Sequence, residues 1–96
     1  MEGCYQMEIN GKPCSCVEFP TTKTKILLIC GEKGLVSCGY LNMNVASKIQ
    51  EAVAMVRGAQ SLEELLSAEV RSVSPVAEEM GVKPGMTGKE AMEILA

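Results

Sequence analysis

Histidine and tryptophan are absent from this 96-residue sequence, and the other aromatic residues are few. Without histidine the chain has no Ser-His-Asp or Cys-His catalytic group and lacks the commonest metal ligand. Acid or base chemistry would therefore have to come from carboxylates, lysine, tyrosine or cysteine. The aromatic residues are only Phe19, Tyr5 and Tyr40, which is too few for a base-stacking surface. A net charge of −3 also argues against nucleic acid as a partner, because phosphate binding needs a basic surface.

Long apolar runs are also missing. The longest aliphatic run is residues 26–30, ILLIC, far shorter than a membrane span. The N-terminal MEGCYQMEIN has no basic region followed by an apolar stretch, so we expect no targeting segment, no membrane partner and a cytoplasmic protein. In that compartment the five cysteines are expected to be reduced thiols, and their odd number agrees. They are Cys4, Cys14, Cys16, Cys30 and Cys38.

The length predicts a single domain over residues 1–96, with a β-rich part at 1–41 and a helix-rich part at 42–96. A domain of this size buries a modest fraction of its surface and is marginally stable alone. Burying surface against other subunits is a common remedy. We therefore expect a homo-oligomer whose contacts come from the β-rich part.

Residues 1–41 have the patterns of strands. Residues 4–9 alternate, and the Asn-Gly dipeptide that follows predicts a tight hairpin with residues 14–19 as the return strand. The stretch 25–30 is almost continuously apolar, as is typical of a strand buried on both faces. Residues 35–41 would pair back on it after a Gly-rich turn. The prediction is a four-stranded, mostly antiparallel meander.

Residues 42–96 have helical spacing. Asn42 or Asn44 could cap a long helix, in which Val45, Ile49, Val53 and Val56 would form one apolar stripe that ends at Gly58. A further strand is predicted at 69–73, and capping signals predict short helices around it. These helices begin near Ser61, Ser74 and Thr87. The fold class predicted is α+β: a four-stranded region, a long helix, a further strand and short C-terminal helices.

Cys38 has the most suggestive context for chemistry. It lies near a predicted strand end and a few residues before a predicted helix N-terminus, which would favour the thiolate. Gly39 would let a ligand approach closely, and Tyr40 could donate a hydrogen bond. The sequence offers no base to activate the sulfur. The alternative is a small buried cysteine that serves packing, which is the common state of free cysteine.

Two other motifs have structural explanations. The Cys-Ser-Cys stretch puts Cys14 and Cys16 on one strand face, yet zinc needs four ligands and the only nearby extra candidates are Cys4, on the predicted hairpin, and Cys30. We therefore predict no metal and no cofactor. The glycine-rich GMTGKEA, residues 85–91, resembles a phosphate-binding loop only superficially, because its spacing is too short for that motif. The capping box of Thr87 and Glu90 explains the same residues without a ligand.

The stretches GLVSCGYLN, residues 34–42, and EVRSVSPVAEEMGVKPGMTGKEAMEIL, residues 69–95, resemble the YunC-like family of bacterial and archaeal proteins, a domain of unknown function. The resemblance spans almost the whole chain. It implies an α+β domain whose N-terminal β region mediates tetramer formation, and it brings no substrate. It also implies an acidic residue at the position of Asn42, where this chain differs.

Two main hypotheses about function remain open at this point, and a third, metal binding by Cys4, Cys14 and Cys16, predicts stoichiometric zinc. The first is a cytoplasmic homo-oligomer, for which the family resemblance implies a tetramer. It would serve as a structural or small-ligand-binding module with a cleft near Cys38, Gly39, Tyr40 and Asn42. The second is an enzyme or redox sensor that uses Cys38 as a thiolate. A functional Cys38 must be accessible and acidic, whereas a structural one is buried.

Overall fold

A computed structural model describes residues 3–23, 25–38 and 48–96 of the chain. Their strands form one six-stranded sheet in the order β1-β2-β3-β4-β5-β6. The strands are β1 (Gly3–Ile9), β2 (Lys12–Pro20), β3 (Lys25–Cys30), β4 (Leu35–Ser37), β5 (Val53–Val56) and β6 (Val70–Val73). Three short helices follow β5 or β6: α1 (Leu62–Ser67), α2 (Pro75–Glu79) and α3 (Gly88–Leu95).

The first four strands form the antiparallel meander that the sequence predicts. Asn10 and Gly11 both have positive φ, 54° and 77°, as a two-residue turn between twisted strands requires. The last strand of the meander ends at Ser37, and residues 39–41 of the predicted return strand lie outside the described residues.

The predicted fold class is wrong in its second half. Residues 53–56 are not the end of a long helix but strand β5, which pairs parallel with β4 and antiparallel with β6. The sheet is therefore mixed and has six strands rather than four. Within the described ranges only α3 is longer than six residues. The start of the predicted helix, at residues 42–47, lies outside those ranges.

The apolar spacing of residues 45–56 misled the prediction because a strand buried on both faces is also continuously apolar. All four residues of β5 are buried, on both faces of the sheet. Ile49 belonged to the predicted apolar stripe, yet 65% of it is exposed. Gln50 adopts a φ of 58°, so the chain leaves helical geometry before β5 begins.

The helices begin at the capping residues that the sequence indicates. The side chains of Ser61, Ser74 and Thr87 each accept a backbone N–H of their own helix, and Thr87 forms a complete capping box with Glu90. Helices α1 and α3 pack on each other, α1 also meets β3, and α3 meets β4 and β5. The fully buried side chains of this core include Leu27, Ile29, Val36, Val56, Leu65, Met92 and Leu95.

The turn between β3 and β4 contacts the C-terminal end of α3. The backbone N–H groups of Lys33 and Gly34 both donate to the carbonyl oxygen of Leu95, at 2.9 and 3.1 Å. A Cβ atom on Gly34 would collide with the carbonyl of Ala52 and the side chain of Leu95. A glycine is therefore required where the turn, the start of β5 and the end of α3 meet.

The face of the sheet that points away from α1 and α3 is less covered over β2 and β3. Phe19 is 59% exposed, and Val17 on the same face of β2 is only partly buried. Leu28, which is directly opposite Val17 on β3, is also partly buried. No helix among the described residues is long and apolar enough to cross a membrane.

Candidate functional site at the end of β4

Cys38 follows β4 directly and is 6% exposed. Its sulfur accepts a hydrogen bond from the backbone N–H of Leu27 at 3.3 Å. Its S–H donates to the carbonyl of Lys25 at 3.9 Å, and its own N–H donates to the carbonyl of Leu27 at 3.0 Å. The thiol thus continues the pairing of β4 with β3 past the end of the strand, which is a structural use of the side chain.

Ser37 is the polar neighbour of Cys38 and is fully buried. It lies between Leu28 of β3 and Met55 of β5 in the strand register. Its hydroxyl has no hydrogen-bond partner among the residues the structure describes. A buried hydroxyl without a partner destabilises a fold by about 1–3 kcal/mol. The contacts of the described residues therefore leave the burial of the Ser37 hydroxyl unexplained.

The other predicted site residues, Gly39, Tyr40 and Asn42, lie outside the described residues. The structure therefore neither joins them to Cys38 nor separates them from it. A catalytic role for Cys38 and a ligand-binding role for the other three stay predictions.

The second predicted cluster holds Cys14 and Cys16, which lie on the same face of β2, as their spacing predicts, and are almost fully buried. Burial raises the pKa of both thiols, and the neighbouring Cys14 and Cys30 raise the pKa of Cys16 further. Cys4 of β1 is paired in register with Val17 and not with Cys14 or Cys16. In the described part of the chain no three histidine, cysteine or acidic residues are grouped to hold a metal.

Cys30, at the end of β3, is the cysteine with most solvent access among Cys14, Cys16, Cys30 and Cys38. Its pKa is raised, first by burial and then by the negative charge of Glu51. A thiol with a raised pKa is mostly protonated at neutral pH and a poor nucleophile.

The glycine-rich stretch at residues 85–91 has structural explanations in every position that suggested a phosphate loop. Gly85 has a φ of 100°, a conformation that favours glycine. Gly88 packs against α1 so closely that a Cβ atom would collide with the carbonyl of Leu65. Lys89 is exposed at the start of α3.

The sequence reasoning missed the buried carboxylate of Glu18, and it named Ser74 only as a helix start without its contacts to β5. Ser74 has a hydroxyl that accepts the N–H of Val53 at 2.9 Å and donates to the carbonyl of Glu51 at 2.6 Å. Glu18 is 5% exposed and accepts a hydrogen bond from the Lys25 ammonium at 3.2 Å. The available signal for Glu18 was its spacing, because it continues the alternation of the two buried cysteines on β2.

These features define a small domain with a mixed β-sheet, a layer of short helices on one face and a buried thiol at the end of a central strand. Sequence comparison identifies the family: the chain belongs to the family described as "Domain of unknown function (DUF1805)", whose profile matches residues 37–95. This agrees with the resemblance that the motifs indicated.

Two individual proteins are similar over most of the chain. The uncharacterized protein YunC of Bacillus subtilis (strain 168) is 31% identical over 88 residues, which cover 88% of this chain and 87% of that protein. A crystal structure of TA1206 from Thermoplasma acidophilum, a protein of unknown function, superposes with a TM-score of 0.94 at 31% identity. The superposition covers 100% of this chain and 94% of TA1206.

Proposed function

We propose that this protein is a structural domain that forms a homo-oligomer in the cytoplasm, with its subunit contacts on the N-terminal strands. The observation that carries the proposal is the exposure of Phe19, at 59%, beside apolar side chains on the same face of β2 and β3. Burial of the Phe19 ring against another subunit would stabilise the assembly more than burial of any other exposed residue of these strands, because aromatic side chains have a large apolar area. The resemblance to the YunC-like family supports a tetramer.

The surroundings of Phe19 support burial against another subunit. Its partner in the register is Ile26, and the next pair on the same face is Val17 with Leu28. All three neighbours are only partly buried, so the four side chains form a contiguous apolar patch that spans β2 and β3. Contiguous apolar patches on small proteins commonly mark protein–protein contacts.

The test is the mass of the protein in solution. Multi-angle light scattering of the natural chain is expected to give about four times the 10.3 kDa of the monomer. The substitution Phe19→Asp would place a charge in the patch and is expected to reduce the mass to that of a monomer, because an unpaired charge is expensive to bury.

Ile49→Asp is the matched control, since Ile49 is similarly exposed, at 65%, but lies outside these strands. It should leave the mass unchanged. A natural protein that runs at 10.3 kDa, or an unchanged mass for Phe19→Asp, would contradict the proposal.

A small-ligand site beside Cys38 is a second candidate, on the separate observation that the Ser37 hydroxyl is buried without a partner in the described residues. A ligand with a polar group could supply that partner. The test is a thermal-shift screen of small polar molecules on the natural chain and on Ser37→Ala. A ligand that stabilises only the natural chain supports the site, while no stabilising ligand, or equal shifts in both proteins, counts against it.

Enzymatic or redox use of Cys38 is the alternative to both. It requires a thiol that reacts in the native protein, and the burial and two hydrogen bonds of Cys38 favour a structural role instead. The alkylation experiment in the Discussion separates the two roles.

A further inference from the structure

A groove of about 450 Å³ lies between β1 and the helix layer. Its volume falls within the range of about 300–1,000 Å³ that is usual for small-molecule sites. It borders residues 7–10 on the strand side, and Leu66 of α1 with Lys89 and Glu93 of α3 on the helix side. Only residues 7–9 of this border belong to β1, a length of about 10 Å, whereas paired strands commonly have about five or six residues. The groove therefore suits a small molecule better than a peptide strand.

The floor of the groove is apolar and consists of Met7, Ile9 and Leu66. Met7 and Ile9 are two residues apart on β1, so their side chains lie on the same face of the sheet. Met7 is opposite the buried Cys14 in the register, which identifies this face as the one that the helices cover. Ile9 is buried, and Met7 and Leu66 are partly buried against the core. An apolar group in the groove would remove the remaining surface of these residues from water.

One positive and one negative side chain border the groove on the side of this floor. Glu8 borders the groove too, but strand side chains alternate, so its carboxylate lies on the opposite face from Met7 and Ile9. The charges beside the floor are therefore the ammonium of Lys89 and the carboxylate of Glu93, both at exposed positions. They are four residues apart on α3, which makes them neighbours on one face of the helix.

Helix stability does not explain the order of these two charges. Lys89 lies in the first turn of α3, where the helix dipole disfavours a positive charge, and Glu93 lies in the last turn, where it disfavours a negative one. A lysine that precedes a glutamate by four residues is also the weaker of the two possible orders. In the described part of the chain neither side chain has an ion-pair or hydrogen-bond partner. Both charges are thus available to a ligand.

We propose that the groove binds a free apolar α-amino acid. Lys89 would bind the carboxylate and Glu93 the ammonium group, which an α-amino acid carries on the same carbon atom. Met7, Ile9 and Leu66 would contact the apolar side chain. A fatty acid would leave Glu93 without a partner, and a polar amino acid would leave the floor in contact with water.

The site is separate from the proposed subunit contact. The groove lies on the face of the sheet that the helices cover, whereas Phe19 lies on the other face. Ligand binding and assembly can therefore succeed or fail independently.

The experiment is an NMR titration of the full-length protein, labelled with ¹³C in its methyl groups, with L-leucine, L-methionine and L-phenylalanine. At least one of them is expected to shift the methyl signals of Met7, Ile9 and Leu66 saturably. Glycine carries both charges but no side chain and should bind about tenfold more weakly than the best ligand. The amide and the N-acetyl derivative of that ligand each lack one charge. Each should bind about two- to fivefold more weakly, as expected for the loss of one exposed ion pair.

Two variants assign the charges. Lys89→Gln should weaken binding of the amino acid by about two- to fivefold and leave binding of its amide unchanged, because the amide has no carboxylate. Glu93→Gln should weaken binding of the amino acid to the same extent and leave binding of the N-acetyl derivative unchanged. Lys83→Gln changes an exposed lysine that does not border the groove. It is the matched control and should bind as the natural chain does.

Four results would overturn the proposal. The first is that none of the three amino acids shifts the methyl signals of the floor, and the second is that glycine binds as tightly as the best of them. The third is that Lys89→Gln or Glu93→Gln binds the amino acid as the natural chain does. The fourth is a shift of the same methyl signals when the protein alone is diluted, because that result would show that a second copy fills the groove.

Discussion

At the scale of single residues, the cysteines differ in how far solvent reaches their sulfur atoms. Cys30 is partly buried, whereas Cys14, Cys16 and Cys38 are each exposed by 6% or less. We predict that a small alkylating reagent modifies Cys30 before Cys14, Cys16 and Cys38 in the native protein. The other three should react at the rate of global or local opening.

The measurement is alkylation across a pH series, with each cysteine followed by mass spectrometry. The rate at Cys30 should keep rising into the alkaline range, because burial and the nearby Glu51 raise the pKa of its thiol. Unfolding in urea is the control and should make all five cysteines react alike. Fast modification of Cys38 alone, levelling off below the ordinary thiol pKa of about 8.5, would instead identify Cys38 as an activated nucleophile.

Glu18 gives the protein a predictable response to acid. A hydrogen bond from Lys25 lowers the pKa of its carboxyl group below the ordinary value. A carboxyl whose pKa is lower in the folded state stabilises the fold above the unfolded pKa of about 4.3, and that contribution disappears as pH falls through the folded pKa. The free energy of unfolding should therefore decrease below about pH 4.

Urea unfolding at pH 7 and at pH 3 measures this effect. Glu18→Gln should be less stable than the natural chain at pH 7 and should lose less stability between the two pH values. Glu63→Gln changes an exposed carboxylate and should behave as the natural chain does at both values. An acid response that is identical in Glu18→Gln and the natural chain would contradict the role assigned to the ion pair.

Residue-level predictions from sequence succeeded where they needed only local spacing. The two-residue separation of Cys14 and Cys16 was sufficient to place both on one strand face. The environment of Cys38 depends on Leu27 and Lys25, which are more than ten residues away and reach it through the β3–β4 register. That register is set by packing across the sheet, so no local pattern around Cys38 could have shown it.

At the scale of secondary-structure elements, Ser74 joins the start of α2 to the start of β5. Its hydroxyl contacts the backbone of Glu51, Val53 and Ala77, and its own N–H donates to the carbonyl of Val53. We predict that Ser74→Ala lowers the free energy of unfolding by about 2–3 kcal/mol, because buried backbone groups lose their partner.

Ser61→Ala is the matched control for Ser74→Ala. Ser61 caps α1 in the same way but is partly exposed, so water can replace its hydroxyl. Its removal should cost about 0.5–1 kcal/mol by urea unfolding. Equal losses in the two variants would show that Ser74 acts only as a helix cap.

Gly34 tests how closely the β3–β4 turn fits between β5 and α3. We predict that Gly34→Ala lowers the free energy of unfolding by about 3 kcal/mol, because its new methyl group would collide with the Ala52 carbonyl. Lys33→Ala, at an exposed position of the same turn, should stay within about 0.5 kcal/mol of the natural chain. A stable Gly34→Ala would mean that the turn can move away from α3 at little cost.

Element-level predictions were correct where turn and cap chemistry is specific. The Asn10-Gly11 dipeptide identified the hairpin because few other residues adopt two consecutive positive φ angles. Residues 53–56 were assigned to the wrong kind of element because their identity depends on burial against β4 and β6. Apolar spacing alone does not separate a short buried strand from a buried helix turn.

At the scale of the whole molecule, the sequence predicted the fold of the N-terminal half better than that of the C-terminal half. The antiparallel meander follows from turns between neighbouring segments, whereas the pairing of β4 with β5 joins segments separated by residues 38–52. The family profile begins at residue 37, so β1, β2 and β3 lie before the matched region. The apolar patch around Phe19 belongs to this N-terminal part.

The strand order has a consequence for the time course of folding. Each strand pairs only with its neighbours in sequence, so most ladders close short loops, and short loops close quickly at a small entropic cost. The β4–β5 and β5–β6 pairs are the exceptions, since they must first bring together strands separated by residues 38–52 and 57–69. We therefore expect the meander to form early and the joining of β5 to limit the folding rate. The hydrogen bonds that bury Cys38 against β3 would then form before the rest of the domain is complete.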